Sequence, residues 1–332
     1  MSQYATSYDM PESIEHHAGA PVVTFDNVSK HYGNLRAVDG LKLELRAGET
    51  VALLGPNGAG KSTSLDMLLA LRKPTSGTIR MFGADPYHAV KSGRVGAMLQ
   101  SGGLMAEVTV RELVTLVTGF HPRPEPVDIT LTRAGIDGFA GQRVDRLSGG
   151  QTQRVRFALA IAGESDLIVL DEPTAAMDVE TRQRFWTTMK EEVAEGRTLL
   201  FATHYLEEAD QAADRILVIN RGRLLADGTP AEIKERAGAK RISFRLDKVN
   251  EPFLLGLPGL VNLDVRHDHV QIQTKDSDET LYAVLDAGLR PRDIEVTSLG
   301  LEQAFLAITA EDDRAAGDDF AVANDVLAND AH

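Results

Sequence analysis

Residues 51–62 read Val51-Ala52-Leu53-Leu54-Gly55-Pro56-Asn57-Gly58-Ala59-Gly60-Lys61-Ser62. The first four residues are apolar and predict a buried strand, and the last eight match the pattern G-x-x-x-x-G-K-[ST] of a phosphate-binding loop that leads into a helix. Glycines allow backbone N–H groups to turn inward around crowded phosphate oxygens, because no side chain obstructs the approach. We call residues 55–62 the P-loop, and its strand-loop-helix setting predicts an α/β fold with a site for a nucleoside triphosphate.

The side chains at the end of the P-loop suit this chemistry. Lys61 supplies a mobile positive charge for the outer phosphates, and the Ser62 hydroxyl is placed to ligate Mg²⁺. The helix that opens at Ser62-Thr63-Ser64 turns its positive N-terminus toward the anion. We therefore expect the nucleotide to contact one continuous set of residues, namely Gly55, Pro56, Asn57, Gly58, Ala59, Gly60, Lys61, Ser62 and Thr63.

An acidic pair follows a second apolar run, in Leu167-Ile168-Val169-Leu170-Asp171-Glu172. Four consecutive apolar residues are typical of a parallel strand that is buried on both faces. In an open α/β sheet, ligands lie beyond the carboxyl ends of the strands, so both carboxylates should reach the same edge as the P-loop. We expect Asp171 to hold Mg²⁺ through water, and Glu172 to orient and deprotonate an attacking water molecule.

The segment Leu147-Ser148-Gly149-Gly150-Gln151, which we call the signature segment, lies between these two motifs. Ser148 and Gln151 form an S-x-x-Q capping box before a helical run from Thr152 to Ala162, for which Gly163 is the predicted stop. The simplest interpretation is a well-capped helix. The two glycines also free N–H groups at the helix start, which predicts a second anion site.

In this order, the three motifs resemble the ATP-binding subunits of ABC transporters, over roughly residues 22 to 235. The resemblance implies ATP and Mg²⁺ as cofactors and assigns further roles by position. Tyr32 matches the aromatic residue that stacks on adenine, and Gln100 the glutamine that senses Mg²⁺ and the nucleophilic water. His204 matches the histidine that contacts the γ-phosphate. Asp178, in a loop where Met177 replaces the more usual leucine, matches the aspartate of the cross-dimer contact.

The resemblance also implies partners. In the family, two chains form a head-to-tail homodimer in which Ser148, Gly149, Gly150 and Gln151 of one copy close on the ATP bound by Lys61 of the other. A separately encoded transmembrane permease completes the transporter, and the ATPase lies at the cytoplasmic side of the membrane as a peripheral subunit. The order Leu301, Glu302, Phe305 near the end is similar to ABC-2-type exporters, especially the daunorubicin-resistance kind, which implies drug efflux and antibiotic resistance.

Composition is consistent with such a subunit. The 332 residues contain no cysteine, which excludes disulfides and thiolate metal sites, and no apolar stretch long enough to span a bilayer. No signal peptide is expected at the start. Residues 1–20 hold three acids and no Lys or Arg, and residues 311–332 hold seven acids and one Arg, so both are expected to be disordered tails. The sequence contains no basic patch, so no nucleic-acid partner is expected.

Pattern changes divide the chain further. Residues 21–236 are predicted to form the ABC ATP-binding domain: an antiparallel β subdomain over 21–50, parallel core strands within 51–99 and 164–220, and a helical subdomain over about 101–163. Residues 237–310 are predicted to form a small α+β accessory domain. In the helical subdomain, one set of apolar residues is interpreted preferably as core and alternatively as a contact groove for the permease. The set consists of Val108, Val110, Leu113, Val114 and Val117.

Three functions are compatible with these motifs. The leading prediction is an ATPase subunit that drives export of a drug, lipid or polysaccharide. An importer ATPase would share every catalytic residue, and only the Leu301–Ile308 pattern favours export. The third alternative, a soluble ABC protein of translation or DNA repair, fits poorly because the chain has a single P-loop and no sustained heptad pattern.

Overall fold

The computed structural model describes residues 21–100, 102–236, 240–298, 300–310 and 312–313. Both predicted acidic tails lie almost wholly outside these residues. No helix among the described residues is long and apolar enough to cross a membrane.

The elements that precede residue 166 begin with three consecutive strands and end with three α-helices. In chain order they are β1 (Pro21–Tyr32), β2 (Leu35–Arg46), β3 (Thr50–Leu54), α1 (Lys61–Leu68), β4 (Ser76–Met81), α2 (Pro86–Lys91), β5 (Val95–Met98), α3 (Val110–Thr118), α4 (Val127–Arg133) and α5 (Gly149–Ala160). Two single turns of 3-10 helix, at Asp137–Phe139 and Val144–Arg146, lie between α4 and α5.

The remaining elements complete the core and, over residues 240–298, form a separate sheet with two helices that we call the C-terminal unit. They are β6 (Leu167–Asp171), α6 (Val179–Ala194), β7 (Thr198–Thr203), α7 (Leu206–Ala212), β8 (Arg215–Asn220), β9 (Arg223–Gly228), α8 (Pro230–Arg236), β10 (Lys240–Arg245), α9 (Glu251–Leu254), β11 (Leu260–Arg266), β12 (His269–Thr274), α10 (Ser277–Asp286) and β13 (Arg292–Ser298). A last helix, α11, covers residues 301–310.

The core of the fold is a six-stranded sheet with the order β5-β6-β7-β3-β8-β9. All neighbours are parallel except β8 and β9, which form an antiparallel hairpin. Strands β3, β6 and β7 are buried along their whole length, as their apolar runs predict. Alternate side chains enter two different cores, with Leu54 on the helical side and Leu53 on the side of the antiparallel sheet.

The antiparallel β subdomain is larger than predicted. Strands β1 and β2 form the expected hairpin, and β4 joins the other edge of β1 to give the order β2-β1-β4. The apolar patterns predict parallel core strands within residues 51–99, and for β4 that prediction is wrong, since β4 pairs antiparallel with β1. In β4 only Ile79 and Met81 are buried, and this alternation is typical of a strand with one covered face.

The helical region between β5 and β6 contains α3, α4 and α5. Val110, Leu113 and Val114 of α3 are buried in the core, and Val108 and Val117 pack against it, so the core interpretation of this set is confirmed. The predicted helix end is wrong by a few residues. α5 stops at Ala160 with Ile161 as its C-cap, and Gly163 instead pairs with Pro124 beyond the helix.

The C-terminal unit is a four-stranded antiparallel sheet with the order β11-β12-β10-β13, with α9 and α10 in its core on one face. Phe244 and Ile272 are fully buried there. The next helix, α11, packs elsewhere: Leu301 and Ala304 are buried in the helical-side core of the large sheet. The predicted apolar stripe of α11 therefore attaches the end of the described chain to that core.

Candidate functional site

The P-loop leads from β3 into α1, and its last glycine has a backbone that other residues rarely adopt. Gly60 caps α1 with a φ of 103°. A Cβ at this position would lie 2.4 Å from the carbonyl oxygen of Ala37 in β2, so a side chain is excluded sterically as well. The loop is thus pressed against the antiparallel subdomain while α1 points its N-terminus into the loop.

The Lys61 side chain folds back over the first residues of the P-loop. Its Nζ donates hydrogen bonds to the carbonyl oxygens of Gly55, at 2.6 Å, and Pro56, at 3.3 Å. Burial lowers the pKa of the Lys61 ammonium, and the carboxylates of Glu172 and Asp171 oppose that effect. The positive charge is therefore held at the P-loop and faces the acidic pair at the end of β6.

Asp171 and Glu172 are both buried although both are acidic. Burial raises the pKa of Asp171, and the neighbouring Ser62 hydroxyl partly offsets that rise. Within the described residues, Asp171 Oδ1 is a buried oxygen without a hydrogen-bond partner. A buried carboxylate oxygen in this situation is costly unless a cation satisfies it, so Asp171 and Ser62 are suitable ligands for Mg²⁺.

Glu172 is held in an unusual backbone conformation. Its φ is 52°, in the left-handed region that residues with a side chain seldom occupy. Its N–H donates to the carbonyl oxygen of Ala202 in β7 at 2.9 Å, and its Oε2 lies 2.7 Å from Nδ1 of His204. The sheet therefore brings together two residues that are far apart in sequence and were predicted to be catalytic.

The order of the strands explains this meeting. Strands β5, β6, β7 and β3 are parallel neighbours, so their carboxyl ends share one edge of the sheet. Gln100 follows β5, Asp171 and Glu172 end β6, His204 follows β7, and the P-loop follows β3. Gln100 is exposed, and its carbonyl oxygen accepts a hydrogen bond of 3.2 Å from Arg156 of α5.

The signature segment forms the predicted capping box. The Ser148 hydroxyl accepts from the Gln151 N–H at 3.2 Å, and the Gln151 side chain accepts from the Ser148 N–H at 2.9 Å. Ser148 and Gly149 are exposed at the start of α5. Among the described residues no hydrogen bond joins this segment to the P-loop of the same chain; its close neighbour is Ala176, whose carbonyl oxygen would lie 3.0 Å from a Cβ at Gly150.

Two predicted residues lie at the margins of this arrangement. Tyr32, at the end of β1, is 39% exposed, and the cationic groups of Lys30 and Arg72 lie 5.4 Å and 5.7 Å from its ring centroid. Asp178 caps α6 by accepting a hydrogen bond of 2.8 Å from the Thr181 N–H. That bond lowers the pKa of Asp178, so the residue has a structural role within its own chain.

Two buried polar residues next to the site were missed by the sequence analysis. Gln153 of α5 donates to the backbone beside Glu172. Glu208 of α7 accepts a hydrogen bond from Thr174, pairs with Arg182 and lies near Thr203, which ties the loop after β6 to the end of β7. Neither belongs to a short motif. Only their burial marks them, and burial of a polar side chain depends on the tertiary fold.

A family model and two curated relatives match this chain. A family model described as ABC transporter matches residues 38–175. The Daunorubicin resistance ATP-binding protein DrrA3 of Streptomyces coeruleorubidus is 33% identical over 308 residues, which cover 88% of this chain and 97% of that protein. The Nod factor export ATP-binding protein I of Rhizobium johnstonii is 35% identical over 294 residues, which cover 86% of this chain and 94% of that relative.

A solved structure agrees in fold. The ATP-binding cassette MJ0796, in a dimeric post-hydrolysis state bound to ADP and Pi, superposes with a TM-score of 0.58 at 27% identity. The alignment covers 62% of this chain and 98% of the cassette. The alignment with the first relative covers 88% of this chain, so it extends beyond the part that matches the cassette.

Proposed function

This chain belongs to the ATP-binding subunits of ABC transporters, and from that premise we propose that two copies close head to tail around two ATP molecules to power export through a separate permease. The chain is an ATPase. One observation supports the dimer: Ser148 and Gly149 of the signature segment are exposed, and within the described residues the segment makes no hydrogen bond to the P-loop of its own chain. Its free helix start is therefore available to the ATP held by a second copy.

In this proposal each composite site draws on two chains. Lys61 and the P-loop backbone hold the phosphates, and Tyr32 stacks on the adenine. Base stacking on an aromatic side chain contributes about 1–3 kcal/mol and tolerates different bases, so discrimination between nucleotides should be weak. Ser148 and Gly150 of the second copy complete the γ-phosphate site, and Asp178 contacts the same copy across the interface.

Hydrolysis in this proposal depends on the pair Glu172 and His204. Glu172 accepts a proton from a water molecule whose oxygen attacks the γ-phosphorus, and the bond to the leaving ADP oxygen breaks. His204, in contact with Glu172 at 2.7 Å, contacts the γ-phosphate and orients the carboxylate. Ser62, Asp171 and Gln100 would hold Mg²⁺, which neutralises phosphate charge when it is bound.

The transported substrate and the direction of transport are inferred from the names of the two relatives. The first relative is named for daunorubicin resistance and the second for Nod factor export, and the alignments cover 88% and 86% of this chain. We propose that this chain likewise serves export, of a drug, a lipid or a polysaccharide, from the cytoplasmic side of the membrane. Purification of the chain from its host in mild detergent should retain a polytopic permease. Retention of a substrate-binding receptor instead would indicate an importer.

The dimer is tested with Glu172→Gln. A general base typically contributes about 10²- to 10⁴-fold to the rate, so this variant should bind ATP and scarcely hydrolyse it. Light scattering after size exclusion in saturating ATP and Mg²⁺ should show twice the monomer mass. The control is Lys61→Ala in the Glu172→Gln background, which should stay monomeric because it lacks the phosphate-binding charge. A Glu172→Gln chain that stays monomeric while ATP is bound would refute the head-to-tail dimer.

A further inference from the structure

We propose that Gln153 is a positioning residue that holds the Glu172 backbone and, through helix α5, couples the two ATP sites of the dimer. The coupling rests on the proposed head-to-tail dimer. Gln153 does not contact a reacting atom in this proposal. It acts through Glu172, and it belongs to the same helix whose first residues receive the ATP of the other copy.

The contacts of Gln153 are specific to an amide. The residue is 8% exposed, and its Nε2 donates to the carbonyl oxygens of Glu172, at 2.9 Å, and Pro173, at 3.0 Å. A primary amide carries two donor hydrogens, one for each carbonyl. A glutamate at this position would place a carboxylate oxygen, which repels both carbonyl oxygens, where the amide nitrogen now donates. A leucine would remove the donor altogether. The site therefore selects glutamine over residues of the same size.

The Glu172 backbone, to which Gln153 is hydrogen-bonded, has a strained conformation. Glu172 has a φ of 52°, and a residue with a side chain keeps such a backbone only where its surroundings impose it. β7 holds the Glu172 N–H through Ala202, and His204 holds its carboxylate. Gln153 bonds the carbonyl of the same residue. The direction in which the Glu172 side chain leaves the backbone thus depends on α5.

Helix α5 connects Gln153 to the ATP site that this chain completes for the other copy. Ser148 caps the helix and Gln153 lies within its second turn, about 7.5 Å further along at a rise of 1.5 Å per residue. A hydrogen-bonded helix moves as a unit over this length, so a shift of its N-terminus toward a phosphate also shifts Gln153. ATP that engages Ser148 in one site would therefore reposition Glu172 in the other site, which makes hydrolysis cooperative.

A purely structural role for Gln153 makes a different prediction. If the amide only satisfies two buried carbonyls, its loss should lower the unfolding free energy and leave the kinetic parameters of the folded protein unchanged. Positioning of Glu172 should instead lower kcat with little change in the dissociation constant for ATP, because the P-loop is untouched. Coupling through α5 should also lower the Hill coefficient for ATP.

The test uses the full chain with Gln153→Glu and Gln153→Leu. We expect kcat to fall about 10- to 100-fold, as a small misplacement of a catalytic group does, and the Hill coefficient to fall from above one to about one. ATP affinity, measured with a fluorescent nucleotide in the absence of hydrolysis, should change less than about twofold. The matched control is Gln211→Glu, an exposed glutamine of α7, which should behave as the wild type.

Each alternative outcome is informative. A wild-type kcat in the folded variants would overturn the positioning role. A low kcat with an unchanged Hill coefficient, or a wild type without cooperativity, would overturn the coupling. Circular dichroism melting identifies a variant that does not fold; Gln153→Glu, which preserves the side-chain volume, then carries the test. The Glu172→Gln dimer experiment retains Gln153, so it decides the head-to-tail dimer independently of this result.

Discussion

The turn between β8 and β9 supports the P-loop from outside, and Gly222→Ala should reveal this support. The Gly222 N–H donates to the carbonyl oxygen of Ala59 in the P-loop at 2.9 Å, and its own carbonyl accepts from Asp39 at 2.9 Å. Its φ is 77°. A Cβ here would lie 2.6 Å from Val38 Cα and 2.8 Å from the Ala37 carbonyl oxygen. The obstructing atoms belong to the backbone and cannot rotate away.

The expected loss of unfolding free energy has two parts. A left-handed backbone costs an alanine roughly 1–2 kcal/mol relative to glycine. A methyl group forced into a filled space costs about 1–3 kcal/mol more, because the surrounding chain must move. We therefore expect Gly222→Ala to lose about 2–5 kcal/mol. Because the displaced turn bonds Ala59, ATP should also bind more weakly.

Gly48→Ala is the matched control. Gly48 has a φ of 75°, yet a Cβ there meets nothing within 4 Å. It should therefore lose only the backbone part, roughly 1–2 kcal/mol, and keep its ATP affinity. Urea denaturation followed by fluorescence gives both unfolding free energies, and calorimetric titration gives the affinities. Equal losses in the two variants, or unchanged ATP binding in Gly222→Ala, would show that the turn does not support the P-loop.

Two further predictions concern the buried residues Glu208 and Phe244. Burial raises the pKa of Glu208, so this carboxyl contributes most to stability below its unfolded pKa and loses that contribution as the pH rises through its folded pKa. The unfolding free energy of the wild type minus that of Glu208→Gln should therefore decrease from acidic to neutral pH in urea titrations; an increase would contradict this. Phe244→Ala, at a fully buried position of β10, should cost about 3–5 kcal/mol in thermal unfolding, while ATP affinity stays unchanged because that core is separate. A loss below about 1 kcal/mol would mean that the C-terminal core is loosely packed.

Local patterns predicted much of the molecule. The P-loop between a buried strand and a helix, the capping box of Ser148 and Gln151, and the buried parallel strand before Asp171 all occur as predicted. Each depends on residues close in sequence, because a strand needs consecutive apolar side chains and a helix start needs a cap three residues from its partner. The apolar stripe of α11 was likewise visible from helical spacing alone.

Contacts between distant segments could not be predicted in this way. Periodicity did not show that β4 joins the antiparallel sheet, since strand pairing depends on which edge remains free. The approach of His204 to Glu172 requires β6 and β7 to be neighbours, and the left-handed backbone of Glu172 is imposed by bonds from α5 and β7. The sequence alone determined which chemical groups are present and which local elements carry them. The tertiary structure decided which of them meet, because those meetings depend on strand order and on packing between residues far apart in the chain.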